Sequence, residues 1–321
     1  MYKVDNYSIE TEFDDAVWDN FVNVQSRNGT LFHTRKFLSY HKDRFNDCSL
    51  TISKRNKIIA VIPAILNDDT LISHSGSSFG GIVVHKNAGL NDIFNIVDCI
   101  SYFMRRKKLR KVIMRMSPHI YNIMPCDDIY FTLYKKGYNL YCTDLCCSID
   151  LTIDKKYSDS INRNINKSRD SYTIDIGYDD DNFEMFWDIL SNNLMEKHGV
   201  LPTHTLDEIL LLKSLLPNKI ILCTCYYKGK LISGVVLFLG NSNAFEVFYI
   251  AQDYEFQNIR SMSLLIDYII NFGKFNRYKF CNLGVSTEDS GNIVNHTLVR
   301  FKEGFGARGI ARNTYIKEIL I

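Results

Sequence analysis

A long internal repeat constrains the fold of this chain more than any single motif does. The segment Asn28–Leu31 follows one stretch of helical spacing and His198–Leu201 follows another, with Gly29 and Gly199 lying 170 positions apart. Self-similarity over such a period is typical of a duplicated structural unit. The sequence therefore predicts two copies of one fold within its 321 residues, which is also the domain number that this length favours.

Helices are predicted to open each copy. Segments 13–24 and 183–194 both carry apolar residues at helical spacing. In the second copy, Thr205 and Glu208 have the spacing of a capping box, in which the side chain of each residue accepts a hydrogen bond from the backbone N–H of the other. A further helix is therefore expected from residue 205 onward.

Antiparallel strands follow the helices in both copies. Lys57–Val61 and Lys230–Val235 read as the second strands of two hairpins, and their first residues are 173 positions apart. A further strand, a helix and a short strand come next, and Lys111 and Lys279 in the two short strands are 168 positions apart. In the first copy, the apolar residues that mark the helix are Ile93, Ile96, Val97, Ile100 and Met104. Three landmarks at nearly one offset favour duplication over chance similarity.

This order of elements predicts an α/β fold of the α+β kind. A helix and a strand that follow an antiparallel meander produce a mixed, mostly antiparallel sheet flanked by helices. The regular strand–helix alternation of a Rossmann fold is absent from the pattern. We place the first domain at residues 1–152 and the second at residues 153–321, and expect the chemistry in the second.

Composition excludes several classes of protein. Hydrophobic residues make up 46% of the chain and charged residues 23%, which is typical of a globular protein and not of a disordered one. The formal net charge of +2 gives no global argument for nucleic acid or a membrane surface. A local basic site stays open.

The nine cysteines and the amino-terminal segment indicate a cytoplasmic protein. The cysteines do not form a disulfide framework, and Cys223-x-Cys225 has no partner at zinc spacing, so we expect reduced thiols and no metal. Charged residues at the start leave no apolar stretch for a signal peptide. No run approaches the ~20 apolar residues that a membrane helix needs.

Four motifs of the second copy resemble a known superfamily. They are His198–Val200 after the first helix, Phe245–Gln252 as the central strand, Asn282–Gly284 at the end of the next strand, and Phe301–Gly306 near the carboxyl terminus. With the element order, they make the chain similar to the GNAT superfamily, and more closely to its FemAB-like branch of tandem-domain acyltransferases. The resemblance covers essentially the whole chain and implies two tandem GNAT-like domains.

The resemblance also implies an activity and a donor. FemAB-like relatives include enzymes that build peptidoglycan cross-bridges, and in these the Phe-Lys pair matched here by Phe301 and Lys302 lies at the acyl-transfer centre. The donor is acyl-CoA, such as acetyl-CoA, or aminoacyl-tRNA. Segment Gln257–Met262 lacks both glycines of the usual coenzyme A pyrophosphate loop, and no heptad insertion marks the tRNA-dependent subgroup. The near-neutral net charge favours the smaller donor slightly.

Acyl transfer to an amine suggests three catalytic candidates. Lys302 could stabilise the developing oxyanion or protonate a leaving oxygen, although its spacing also fits a solvated lysine on a helix. His198 could accept the amine proton or simply cap its helix before Gly199. Glu246 is a charge within an apolar strand and is either functional or salt-bridged.

Further residues are candidates for binding. Tyr249 is expected on the strand face opposite Glu246, because side chains alternate along a strand. Phe301 reads more as a core residue than as a site residue, and the loop motif brings in Asn282. The substrate candidates therefore include Tyr249, Phe301 and Asn282, together with Arg163 and Lys167, whose basic stretch could bind phosphates or form a solvated helix face.

Arg260, Ser261 and Ser263 are candidates for donor binding. They lie where a helix is predicted to begin, and helix-terminal amides beside an arginine suit a phosphate. Simple capping by serine is the alternative.

The predicted function is transfer of an acetyl or aminoacyl group to an amino group of a cell-envelope glycan or peptidoglycan-type precursor. The resemblance supplies this substrate class. The expected partners are a small-molecule or nucleotide-linked acceptor and tRNA as the alternative donor carrier, without DNA and without a membrane span, but with room for transient contact with a lipid-linked substrate. The competing hypothesis is a catalytically silent, duplicated GNAT fold that serves as a binding or assembly module.

Overall fold

The computed structural model describes residues 2–154, 156–169, 174–178 and 181–319, with the backbone alone at residue 174. The chain forms two compact units. The first comprises residues 1–144, 289–292 and 311–321, and the second comprises residues 145–288 and 293–310. Among the described residues, none of the helices combines the length and apolar character that crossing a bilayer requires.

The first unit combines short helices, one long helix and antiparallel strands. Its helices are α1 (Asp15–Asn20), α2 (Arg35–Leu38), α3 (Leu90–Lys107) and α4 (Asp127–Lys135). Its strands are β1 (Tyr2–Val4), β2 (Tyr7–Glu10), β3 (Leu50–Lys54), β4 (Lys57–Ile62), β5 (Ile65–Asn67), β6 (Thr70–Ile72), β7 (Val83–Val84), β8 (Lys111–Arg115) and the first part of β9 (Asn139–Asp150).

The hairpin predicted in the first copy is present as β3 and β4. Arg55 and Asn56 connect the two strands with φ of 49° and 64°, the left-handed backbone of a tight hairpin turn. The strands β1, β2, β3, β4 and β7 form one sheet in that order, and all its pairs are antiparallel.

Helix α3 confirms the predicted apolar stripe of the first copy. The expected core residues are all fully buried, namely Ile93, Ile96, Val97, Ile100 and Met104. They belong to the same core as residues of β3 and β4, so burial of this face stabilises the helix against the sheet.

The second unit contains the counterparts of these elements. Its helices are α5 (Asp159–Arg169), α6 (Phe183–His198), α7 (Leu206–Leu215), α8 (Ser261–Phe275) and α9 (His296–Gly304). Its strands are the end of β9, β10 (Ile174–Tyr178), β11 (Ile220–Tyr227), β12 (Lys230–Phe238), β13 (Ala244–Gln252), β14 (Phe280–Val285), β15 (Thr287–Glu288), β16 (Ile293–Val294) and the start of β17 (Arg308–Glu318).

The main sheet of the second unit has the order β10-β11-β12-β13-β14-β9. Only β13 and β14 run parallel among these described pairs. A parallel step needs a crossover between its strands, and α8 supplies it. Helix α8 packs its apolar residues, such as Leu265 and Ile269, into the core shared with Phe245 of β13.

The predicted element order is confirmed in both copies: helices, an antiparallel hairpin, a further strand, a helix and a strand. The α/β class with mostly antiparallel sheets and flanking helices is likewise confirmed. One predicted helix differs, because residues 13–24 divide into α1 and a π-helical segment, Phe21–Gln25.

The boundary between the copies stays a prediction at residues 152 and 153. Residues 311–321 belong to the first unit, because Tyr315 of β17 pairs with Met114 of β8. The last strand of the chain therefore follows its hydrogen-bond partners and not its sequence neighbours.

Candidate active site in the second unit

Two neighbouring parallel strands part in the middle of the sheet. The register of β13 and β14 pairs Glu246 with Asn282 as its last step. Strand β13 nevertheless continues to Gln252 and β14 to Val285. From Val247 onward, the β14-facing edge of β13 has no strand partner among the described residues. The parting therefore leaves a wedge whose walls are the backbones of two strands.

The motif Asn282-Leu283-Gly284 bends β14 away from β13. The Asn282 side-chain Oδ1 accepts a hydrogen bond of 3.0 Å from the Gly284 N–H, which closes an Asx turn. Gly284 has φ of 76°, a left-handed conformation that costs a residue with a Cβ about 1–2 kcal/mol. The register with β9 shifts at the same point, between Asn282 and Val285. The predicted site residue Asn282 is thus buried and shapes the wedge.

Lys302 stabilises the bent end of β14 through hydrogen bonds. It lies on α9, whose first turn is capped by the Asn295 side chain, and it is only 3% exposed. Its Nζ donates to the Gly284 carbonyl at 2.9 Å, the Val285 carbonyl at 2.8 Å and Ser286 Oγ at 2.8 Å. An ammonium group has three N–H donors, so all of them are used. Lys302 is therefore a buried cation and not the solvated lysine that its spacing also allowed.

Burial lowers the pKa of the Lys302 ammonium to about 8, while the nearby Cys147, Cys146 and Glu246 side chains act in the opposite direction. Desolvation disfavours the charged form, and negative neighbours favour it. Near neutral pH most molecules still carry the charge. Mild alkali removes it, so the site can change its charge within an accessible pH range.

Glu246 and Tyr249 share one face of β13, so the prediction of opposite faces was wrong. Glu246 lies opposite Phe238 on β12, and Tyr249 lies opposite Val236, two residues along the same strand. The register shifts between Val236 and Leu237, where β13 carries an extra residue. Such a bulge reverses the alternation of side chains beyond it. Both residues are 8% exposed.

Tyr249 forms a short hydrogen bond with a histidine that the sequence gave little reason to choose. The distance between Tyr249 Oη and His204 Nδ1 is 2.6 Å, and the His204 backbone N–H also donates to Tyr249 Oη at 3.1 Å. The Trp187 ring of α6 packs on Tyr249 with centroids 5.2 Å apart. Burial raises the pKa of Tyr249 to about 12, so the phenol stays protonated. These contacts hold the segment before α7 against β13.

Two predicted residues lie apart from this group. Phe301 packs edge-on against Phe305, with centroids 5.3 Å apart, and borders the hydrophobic core, as its core interpretation required. His198 is the last residue of α6, before the left-handed Gly199, and it is exposed. No hydrogen bond or ion pair links His198 to Glu246 or Lys302 within the described ranges.

The second group of candidates lies at the start of α8. Arg260 has φ of 63°, a left-handed conformation at the position where the usual phosphate loop has a glycine. None of the described side chains caps the helix. The Ser261 Oγ instead accepts from Ser233 Oγ at 3.0 Å, and the Ser263 N–H donates to the Arg260 carbonyl at 3.0 Å. Simple capping by serine is therefore not what these residues do.

Helix α5 brings the basic stretch to the same place. Arg163 and Lys167 are exposed on α5, while Ile161, Ile165 and Ser168 are buried. The Ser168 Oγ donates to the Ile259 carbonyl at 2.6 Å. This bond joins the residue after Lys167 to the residue before Arg260.

Comparison with known proteins identifies the fold. No family model matches the chain, and no curated protein matches its sequence. Among solved structures, the chain is similar to FemX at a TM-score of 0.71 and 9% identity, over 96% of each chain. The chain has the fold of FemX. This likeness confirms the predicted α/β fold class with mostly antiparallel sheets and flanking helices.

Two further structures support this assignment. A conserved protein of unknown function from Bacteroides thetaiotaomicron matches with a TM-score of 0.63 and 12% identity, over 97% of this chain and 99% of the other. L-PGS from Bacillus licheniformis matches with a TM-score of 0.57 and 11% identity, over 87% of this chain and 90% of the other. At such identities the likeness defines the fold and leaves the function to the site.

Proposed function

We propose that the second unit is an N-acyltransferase centre that moves an acetyl or aminoacyl group to an amino group of a cell-envelope glycan or peptidoglycan-type precursor in the cytoplasm. The observation that carries the proposal is the wedge between β13 and β14. It opens directly beyond Glu246 and Asn282, and the buried ammonium of Lys302 lies at its β14 side.

The wedge suits an acyl carbonyl for an electrostatic reason. Backbone N–H groups on an edge without a strand partner can donate to an oxygen that gains negative charge in the transition state. Because they are fixed by the pairing of β13 with β12, they need no reorganisation when the charge develops. Lys302 adds a buried positive charge at the β14 side of the wedge, where it donates hydrogen bonds to the Gly284 and Val285 carbonyls.

Glu246 is the proposed proton acceptor. The acceptor nitrogen attacks the acyl carbon and forms the new C–N bond, and the C–S or C–O bond to the donor breaks. The nitrogen loses one proton, which Glu246 takes, and the leaving thiolate or ribose oxygen regains one. Glu246 is 8% exposed, and its carboxylate is close enough to Lys302 to act on the charge of that ammonium, which places it beside the proposed reaction centre.

The start of α8 is the proposed site for the donor's phosphates. The first turn of a 15-residue helix has no side-chain cap, and Arg260 contributes a cation with its backbone in the glycine-like conformation. These groups fit a phosphate. Lys167 and Arg163 on the adjacent α5 extend the positive charge. Acyl-CoA and aminoacyl-tRNA both carry phosphates, so the donor class includes both.

The envelope acceptor comes from likeness and not from a residue of this chain. FemX and L-PGS share the fold, and the FemAB-like branch that the motifs resemble includes enzymes of peptidoglycan cross-bridge formation. A lipid-linked or nucleotide-linked amine is the corresponding acceptor class.

The competing proposal, a silent binding module, has a specific observation in its favour. The three N–H donors of Lys302 already have acceptors in the protein. Lys302 would then serve the fold alone, and the unit would bind a ligand without transferring a group.

Turnover and ligand binding separate the two proposals. Release of free thiol from acetyl-CoA, or of deacylated tRNA from aminoacyl-tRNA, is measured with an amine acceptor for the wild type and for Glu246→Gln. The variant should lose about 10²–10⁴-fold in kcat. Glu255→Gln is the matched control, because its carboxylate is exposed and its ion pair with Lys230 is long, at 3.7 Å.

Thermal stabilisation by each donor completes the test. A donor at 100 times its dissociation constant stabilises the protein by about 2.7 kcal/mol. Stabilisation without turnover would favour the silent module. Turnover that is equal in the wild type and in Glu246→Gln would remove Glu246 from the mechanism.

A further inference from the structure

Two arginines of the first unit share one face of a sheet. Arg115 is the last residue of β8 and pairs with Thr314 of β17. Arg312 lies two residues before Thr314 on the same strand, so its side chain projects from the same face as that of Thr314 and Arg115. Diagonal neighbours of this kind are about 7–8 Å apart, within reach of long side chains.

The Asp144 carboxylate pairs with one of these two cations, Arg312. Asp144 Oδ2 accepts from Arg312 Nη2 at 2.8 Å and from Arg312 Nε at 3.3 Å. The Asp144 side chain is 12% exposed and the Arg312 side chain is 17% exposed. Arg312 Nη1 also donates to the Ser78 carbonyl at 3.2 Å. The pair is therefore fixed on several sides.

Arg115 is a half-buried cation whose charge this pair does not neutralise. Within the part of the chain that the structure describes, no group accepts a hydrogen bond from its guanidinium. Burial lowers the pKa of Arg115, repulsion from Arg312 lowers it further, and attraction to Asp144 opposes both effects. Among the described side chains that act on the Arg115 charge, the Arg312 guanidinium therefore opposes the Asp144 carboxylate, in a place with reduced access to water.

The backbone around Arg115 is fixed. Its N–H donates to Ser73 Oγ at 2.7 Å, and its carbonyl accepts from the Gly80 N–H at 2.9 Å. Gly81 follows with φ of 85°, and a Cβ there would lie 2.7 Å from Met116 Sδ, so only glycine fits. The Arg115 side chain therefore extends from a backbone that is held in place. A fixed backbone reduces the entropy lost when a ligand binds.

We propose that Arg115, supported by the Arg312–Asp144 pair, forms a binding site in the first unit for an oxyanion, either a carboxylate or a phosphate group of a ligand. The unused guanidinium fork matches the two oxygens of such a group in a planar, bidentate arrangement. An oxyanion would also oppose the repulsion from Arg312. The first copy would thus hold an anion through side chains of its sheet.

Calorimetric titration of the full chain tests the site. Inorganic phosphate and acetate are titrated separately, at constant ionic strength set with sodium chloride, so that the two arms distinguish phosphate from carboxylate ligands. A loss of about tenfold or more in the affinity for either ion in Arg115→Gln supports the proposal, because this change leaves the phosphate site proposed at α8 intact. Arg110→Gln is the control, because Arg110 is 76% exposed and its nearest carboxylate, on Asp69, is 3.7 Å away. The control should change affinity by less than about twofold.

A second variant distinguishes a loss of binding from a loss of folding. Arg115→Lys keeps the charge and loses the fork, so it should bind phosphate more weakly than the wild type while keeping the same circular dichroism spectrum. Phosphate and acetate binding that is equal in the wild type and in both variants would overturn the proposal. Absence of any heat of binding for both ions up to tens of millimolar would overturn it as well.

Discussion

Replacing Lys302 with methionine should destabilise the second unit because it removes the group that fastens the bend of β14. Methionine keeps the length and much of the volume of the lysine side chain. It offers no donor to the carbonyl groups of Gly284 and Val285 or to the hydroxyl of Ser286. The substitution therefore measures the contribution of the three hydrogen bonds to stability with little change in packing.

The magnitude follows from the groups that are left behind. Each buried acceptor that loses its partner costs about 1–3 kcal/mol. Removing a buried charge offsets part of this, because its desolvation penalty disappears. We expect a net loss of roughly 2–4 kcal/mol at pH 7, which corresponds to a fall in Tm of about 5–15 °C.

The pH dependence supplies a second signature. The pKa of Lys302 is about 8 in the folded protein and has an ordinary value of 10.5. Between these values the unfolded chain binds more protons at this residue than the folded one, so Lys302 should contribute a rise of roughly 3 kcal/mol to the free energy of unfolding as the pH increases. Below pH 8 both states are protonated and the contribution is constant. In Lys302→Met this rise should be absent.

Urea unfolding at pH 7 and pH 10, followed by circular dichroism, measures both effects. Arg300→Met is the matched control, since Arg300 lies on the same helix and is exposed. It should change the stability by less than about 0.5 kcal/mol. If Lys302→Met is as harmless as the control while turnover is lost, Lys302 does not hold the strand and acts only on substrate.

Three further outcomes are expected. Tyr249→Phe should cost about 1–2 kcal/mol in urea unfolding, because it leaves the buried His204 Nδ1 without the 2.6 Å partner, and unchanged stability would contradict the role given to that bond. Gly284→Ala should cost about 1–2 kcal/mol, because φ is 76° there, whereas Gly177→Ala should cost little, since φ is not positive and a Cβ meets no neighbour. Acidification should destabilise the first unit: burial lowers the pKa of His33 from 6.5 to about 4, so the unfolded chain binds more protons between these values. About 3 kcal/mol should be lost as pH falls from 6.5 to 4, and His33→Gln should abolish that part of the pH profile.

The periodicity of apolar residues in the sequence was sufficient to predict the helices and strands and their order. The apolar residues of α3 were predicted one by one and are all buried, because helical spacing places them on a single face. The hairpins ending in Lys57–Ile62 and Lys230–Phe238 were likewise evident from alternation and turn residues. Duplication followed from these local patterns at one offset.

The candidate site was predictable only in part. The motifs pointed to Lys302, Glu246 and Asn282, which the structure brings to the parting of two strands. They favoured His198 over His204, although of the two only His204 is buried and bonded to Tyr249. A histidine that follows a helix looks the same in sequence whether or not the chain folds it back onto a strand.

The sequence by itself determined which segments become helices and strands and that they occur twice, because those choices depend on neighbours along the chain. Only the tertiary structure decided that a bulge places Glu246 and Tyr249 on one face, that Lys302 is buried among carbonyl groups, and that Arg115 and Arg312 share a carboxylate. These outcomes depend on strand register and on which backbone groups meet across long sequence separations. A shift of one residue in register reverses every side chain beyond it, and local sequence carries no direct record of that choice.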